Sequence, residues 1–222
     1  MDKIAAGVVK FQQEAFEARR DLFERLAEGQ SPEALFITCS DSRIDPNLLT
    51  QTQPGELFLC RNAGNIVPPH TNHTGAMTAS IEFAVGALKV PHIIVCGHSE
   101  CGAMTGAMNP EGLENFPHVR EWLSYARGAV LISQRKGAGL TEKERLDLLI
   151  KENVLLQIAH LKTHPYVAAM LSAGETKIHG WVYDIRTGEV LVYDDAVNNF
   201  IPVADHYKDS VGAVLHTQNR KP

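Results

Sequence analysis

Ala34-Leu-Phe-Ile-Thr38 runs straight into Cys39-Ser-Asp-Ser-Arg43, and His92-Ile-Ile-Val-Cys96 runs straight into Gly97-His-Ser-Glu-Cys-Gly102. Each stretch is an apolar run of strand length followed at once by a polar turn of small residues. A further run, Glu56-Leu-Phe-Leu-Cys-Arg61, lies between them. Gly75 to Leu88 then sets Met77, Ile81, Ala84, Val85 and Leu88 at helical spacing. Strands alternating with helices predict an α/β fold with a mainly parallel sheet, covered on both faces. In such sheets ligand sites gather beyond the carboxyl ends of the strands. The two polar turns are therefore where chemistry is expected.

Working outward, Ile4, Val8, Phe11 and Ala15, then Phe16, Leu22, Phe23 and Leu26, form apolar stripes that stop at Gly29. These predict a helical arm over about residues 1–29 that packs on this domain or on a neighbouring subunit. Asp45-Pro46 reads as N-cap and first helical residue. Helices are expected near Val119 to Ile132 and Thr141 to Thr163, the second opened by the capping box Thr141-Glu-Lys-Glu144. Ile178 to Ile185 and Val190 to Tyr193, joined through Arg186-Thr-Gly-Glu189, predict a hairpin that adds an antiparallel edge strand. No repeat, low-complexity tract or linker divides the chain. A single domain over 1–222 is expected, with a polar, loosely held tail over about 204–222.

The 222 residues are 44% hydrophobic and 21% charged, an ordinary globular balance. The net charge of −5 disfavours a nucleic-acid partner, which wants a basic face. Apolar runs fall short of the ~20 residues of a membrane span, and the first residues break into charge too early for a signal-peptide core. No membrane partner and a cytoplasmic location are expected. Four cysteines, Cys39, Cys60, Cys96 and Cys101, are too few for a disulfide scaffold.

A strand-end cysteine, Cys39, plus His98 and Cys101 spaced as His-x-x-Cys make a plausible Cys₂His set for zinc. Three protein ligands and one open position is the catalytic arrangement. Two thiolates and a neutral imidazole would cancel the charge of Zn²⁺, and water in the open position would have a pKa of roughly 7. The spacing alone is weak. The polar turns around it, with charges costly to bury, strengthen it. Cys60 and Cys96, inside apolar strands, read as inert core residues. Asp41 and Arg43 can pair across their turn. That pair either shapes the loop or governs the metal: Asp41 could accept a hydrogen bond from bound water or become a fourth ligand, with Arg43 deciding between the two. Glu100 reads as a solvated loop carboxylate. His70 and His73 are candidate but unremarkable proton carriers. Trp122 and Trp181 read as core or interface.

Taken together, Cys-Ser-Asp-Ser-Arg at 39–43, Arg-Asn-Ala-Gly-Asn at 61–65 and Gly-His-Ser-Glu-Cys-Gly at 97–102 closely resemble the signatures of the β-class carbonic anhydrases. Val-Pro-Pro at 67–69, Ile81-Glu-Phe-Ala-Val85, Glu152-Asn-Val154 and His179-Gly-Trp-Val-Tyr-Asp184 extend the resemblance from about Phe11 to Phe200. It is nearest to the plant-type branch and its bacterial, cyanase-associated members. The resemblance implies reversible hydration of CO₂ to bicarbonate and a proton by attack of zinc-bound hydroxide. It implies one Zn²⁺ per chain on Cys39, His98 and Cys101, with Asp41 and Arg43 as the dyad beside the metal-bound water. It also implies a homodimer or a multiple of dimers, with N-terminal helices embracing the partner. Gln30, Phe58, Ala63, Phe83 and the amide of Gly102 would line the CO₂ pocket, Gln30 and Phe58 coming from different subunits. Two residues depart from the branch pattern: Phe83 stands where tyrosine is common, and Ala63 where valine is common. Two other readings share the same zinc framework: a hydrolase of another small linear molecule such as CS₂, and a non-catalytic zinc-binding homologue.

Overall fold

In the computed structural model, which describes residues 1–212, the apolar runs assemble into one six-stranded sheet of order β2-β1-β3-β4-β5-β6. The strands are β1 (Ala34–Cys39), β2 (Leu57–Asn62), β3 (His92–His98), β4 (Lys177–Tyr183), β5 (Val190–Asp194) and β6 (Asn199–Pro202). β1 pairs in parallel with β2 and β3, and β3 in parallel with β4. The β4–β5 and β5–β6 pairs are antiparallel. The antiparallel edge therefore holds two strands where the sequence pointed to one.

All six residues of β1 are buried, as expected of a central parallel strand covered on both sides. Leu35, Ile37 and Cys39 face the larger core with Ile93 and Val95. Ala34 and Phe36 turn to a thinner layer with Ile94 and Cys96. The helices in chain order are α1 (Asp2–Lys10), α2 (Arg20–Glu28), α3 (Pro46–Thr50), α4 (Ala76–Glu82), α5 (Gly102–Met108), α6 (Pro117–Leu123), α7 (Arg127–Lys136), α8 (Glu142–Leu161), α9 (Pro165–Ser172) and α10 (Val203–His206). Ile81, Met104, Leu123, Ala129, Val154 and Val167 bring α4 to α9 onto the larger core, while Leu49 of α3 and Trp181 cover the other face. Asp45 caps α3, accepting from the N–H groups of Asn47 (3.1 Å) and Leu48 (3.2 Å), with Pro46 at the first helical position.

α8 lies close against β3 and β4 because both strands carry glycine at the crossing. A Cβ on Gly97 would come within 3.0 Å of Val154 Cγ2, and one on Gly180 within 2.9 Å of Ile158 Cδ1. A side chain at either position would push the helix off the sheet. The capping box forms as the sequence predicts: Thr141 Oγ1 accepts from Glu144 N–H (3.3 Å), and Glu144 Oε2 accepts from Thr141 N–H (2.8 Å).

Several elements differ from expectation. The helix expected near 119–132 is two helices, α6 and α7, split by a tight turn at Ser124–Ala126. The Gly75–Leu88 helix continues past α4 through a wider turn at Phe83–Ala87. The first part of the tail is docked rather than loose. His206 Nδ1 lies 3.0 Å from Asp194 Oδ2, and the Tyr207 hydroxyl lies 2.9 Å from His179 Nδ1; residues 213–222 lie outside the described residues. α1 and α2 bury no residue, and Phe11, Phe16 and Phe23 cluster on one another. Among the described residues no helix is long and apolar enough to cross a membrane.

Removing the cap hydroxyl leaves the Glu144 N–H of the first turn of α8 unpaired. Thr141→Ala is expected to lower unfolding free energy by about 1 kcal/mol in urea titration, with Thr141→Ser close to the parent.

Candidate metal centre

Parallel pairing of β1 and β3 sets Thr38 opposite Cys96, so both strands end at the same edge of the sheet. Cys39 is the last residue of β1 and His98 the last of β3. Cys101 follows after a turn in which Glu100 takes φ +56°, and it is the N-cap of α5. The donor atoms of Cys39, His98 and Cys101 all lie within 4.8 Å of one another, and all three residues are buried. The sequence-predicted triad is thus brought together.

The residues fit a metal. His98 Nδ1 sits 2.9 Å from the carbonyl of Ser99, which places the ring proton there and the lone pair on Nε2. Nε2 is itself buried without a hydrogen-bond partner among the described residues. A buried polar atom left so is costly, and a metal ion beside the two sulfurs would supply a partner. The ring's other nitrogen on a carbonyl is the usual outer-shell support of a ligating histidine. Two thiols and one imidazole form the soft donor set of tetrahedral N/S centres.

The two thiols share their protons unequally. The Cys101 thiol beside Cys39, together with the N–H of Gly64 3.3 Å from its sulfur, holds Cys39 well below the ordinary thiol range. The same contact with Cys39, and then burial, push Cys101 up. Gly64 can bring its N–H so close because it adopts φ +81°. A Cβ there would meet Met104 Cε at 2.8 Å.

Asp41 and Arg43 form a two-pronged pair. Arg43 Nε donates to Asp41 Oδ1 (2.9 Å) and Nη2 to Oδ2 (2.7 Å), while the Arg43 N–H also donates to Oδ1 (3.0 Å). The guanidinium holds the Asp41 carboxyl well below the usual carboxylate range. Arg43 Nη2 also donates to the carbonyl of Glu100 (3.0 Å), tying one ligand loop to the other. Asp41 Oδ2 stands 3.9 Å from His98 Nε2. The carboxylate therefore faces the cluster yet is held by its arginine.

The apolar residues assigned to the pocket are brought together in part. The rings of Phe58 and Phe83 lie 6.0 Å apart, Phe58 half-buried and Phe83 exposed. Gly102 opens α5 beside Cys101, with open space where a Cβ would stand. Ala63 is exposed, and its carbonyl accepts from Trp122 Nε1 (2.9 Å). Gln30 is exposed just beyond α2 and makes no hydrogen bond among the described residues.

Sequence reasoning missed two groups that contact the cluster's loops. Arg61 donates from Nε to the Cys39 carbonyl (3.1 Å) and from Nη2 to the Asp41 carbonyl (2.7 Å), clamping the first ligand loop. The Gly64 N–H on Cys39 has no side chain to betray it. Both lie in the 61–65 motif, whose individual roles the sequence alone does not separate.

The family model described as carbonic anhydrase matches residues 34–190. A carbonic anhydrase of Pseudomonas aeruginosa is 47% identical over 206 residues, covering 93% of each chain. The solved β-carbonic anhydrase CcaA is 42% identical and superposes with a TM-score of 0.89 over 91% of each chain. A β-carbonic anhydrase of Sordaria macrospora, one of two described as tetrameric, is 33% identical. It has a TM-score of 0.70 over 86% of this chain and 92% of its own.

Thiolate, not thiol, is the reactive form. Burial pushes Cys96 up to about 12 and raises Cys60 as well. After chelation, iodoacetamide at neutral pH is expected to modify Cys39 before Cys60 or Cys96 in peptide mass maps, and added metal is expected to protect it.

Proposed function

Because this chain belongs to the β-class carbonic anhydrases, we propose that Cys39, His98 and Cys101 hold one Zn²⁺ per chain and that the site hydrates CO₂ to bicarbonate and a proton. The observation that carries the metal assignment is the buried, unpartnered Nε2 of His98 within reach of two thiols. Bound there, zinc supplies a Lewis acid that brings the pKa of a coordinated water to roughly 7.

The protein's own residues supply orientation and shelter. Asp41, kept ionised by Arg43, is an acceptor only; it fixes where the hydrogen of the attacking oxygen points and so turns a lone pair toward carbon. Its two-pronged hold on Arg43 favours the open site over one in which Asp41 ligates the metal. Phe58, Phe83 and Ala63 offer an apolar wall suited to CO₂, and the Gly102 N–H a donor for substrate oxygen. Gln30 completes that pocket across a subunit boundary. Its place at the end of an arm whose Ile4, Val8 and Phe11 are 65%, 53% and 43% exposed supports this. A homodimer or multiple of dimers is the assembly that covers those residues, in keeping with the tetrameric Sordaria enzymes. The four free cysteines suit a reducing, cytoplasmic setting.

Zinc-quantified protein is expected to hydrate CO₂ in stopped-flow, with a rate that rises from pH 6.5 to 9. One zinc per chain without hydration would refute the activity. Asp41→Asn is expected to keep its zinc and lose about 10²-fold in rate, the order a single orienting hydrogen bond commands; an undiminished rate would remove Asp41 from the mechanism. Light scattering after gel filtration is expected to give an even multiple of the chain mass.

A further inference from the structure

Asn153 and Gln157 stand one turn apart on α8, both fully buried. Two amides in an apolar core are costly unless every polar atom is satisfied. Theirs are spent on the loop that follows β2. Asn153 Nδ2 donates to the Gly64 carbonyl (3.0 Å). Asn153 Oδ1 accepts from Gln157 Nε2 (2.8 Å), which fixes the rotamer of Asn153. Gln157 Oε1 accepts from the Val67 N–H (2.9 Å). The other face of Gly64 is its N–H, 3.3 Å from Cys39 Sγ. One residue is thus gripped at its carbonyl by α8 while its N–H rests on a ligand sulfur.

Satisfying a buried loop would need only some donor for the Gly64 carbonyl. The Asn153–Gln157 pair does more: with the Gly64 carbonyl held and Gly64 at φ +81°, the N–H of the preceding peptide is left pointing at Cys39. A hydrogen bond to a thiolate draws charge from sulfur and holds it in place, and such outer contacts tune a bound metal. The grip comes from the rigid centre of a 20-residue helix. That helix is pressed onto β3 at Gly97, next to His98.

We propose that Asn153, locked by Gln157, is a positioning residue for the metal centre: it aims the Gly64 N–H at Cys39 and thereby sets the donor strength of that thiolate. The inference rests on the metal assignment of Cys39, His98 and Cys101.

The test uses the full chain loaded with Co²⁺, whose sulfur-to-metal charge-transfer band reports on the thiolates, and chelator competition for Zn²⁺. Asn153→Leu keeps about the same size but removes the donor to Gly64. It is expected to move the charge-transfer band and weaken zinc by about 10- to 100-fold. Gln157→Met leaves the Asn153–Gly64 bond possible but unlocked, and is expected to move both readings in the same direction by less; it carries the test if Asn153→Leu does not fold. Thr141→Ala weakens the same helix away from the loop and is expected to leave the band unmoved. A folded Asn153→Leu or Gln157→Met protein with the parent's spectrum and an affinity within twofold overturns the inference. A parent chain that shows no thiolate band with Co²⁺ overturns the metal assignment instead.

Discussion

The parallel ladder between β1 and β3 aligns Thr38 with Cys96, and one or two residues later each strand releases a ligand loop at the same end of the sheet. Parallel strands need a crossover to connect them, so the loops come from distant sequence yet meet without long excursions. The register carries the consequence. A slip of one residue would turn Cys39 to the other face of the sheet, away from His98 and Cys101. Burial on both faces holds that register firm, because five residues of β1 sit in one of two packed layers and the buried Thr38 hydroxyl donates to the Cys96 carbonyl (2.9 Å).

Loops at such an edge expose backbone groups that neither strand can satisfy, and arginine meets the need. Arg61 spans the carbonyls of Cys39 and Asp41, and Arg43 spans the Asp41 carboxylate and the Glu100 carbonyl. A planar fork with fixed donor directions suits these paired acceptors better than a lysine's point charge. The result is a rigid rim around a buried donor set. It is assembled from three loops, each tied to another by at least one of these guanidinium contacts or by the Gly64 amide.

Much of this was legible in the sequence where side chains carry the signal. The apolar runs, the Asp45-Pro46 cap, the Thr141 capping box and the 186–189 hairpin link all formed where their residues point. The donor triad was visible because cysteine and histidine announce themselves. What stayed hidden lacked that signal. α5, Gly-Ala-Met-Thr-Gly-Ala-Met, has two glycines and no charged residue. It is held by the packing of Met104 and by the Thr105 hydroxyl on the Cys101 carbonyl (3.2 Å). β6 is four residues ending in proline and forms only because β5 is there to pair with it. The split between α6 and α7 leaves no mark in periodicity, since the apolar stripe runs on through Ser124–Ala126. The Gly64 amide is backbone, and its left-handed φ and the 2.8 Å approach of Met104 to a Cβ show only in the structure why glycine suits that position.

The two rims of the sheet are guarded unequally. β6 is short, ends at Pro202 and runs directly into α10, three features that blunt a strand against further pairing. β2 has no proline and no lysine; it is six residues long with Leu59 41% exposed, and no strand pairs its outer side among the described residues. Colloidal stability is therefore lopsided. In the single chain, residues 57–62 offer stray strands a template during heating or refolding that the short, proline-ended β6 does not. Solubility in this protein then hangs on one strand edge as much as on surface charge.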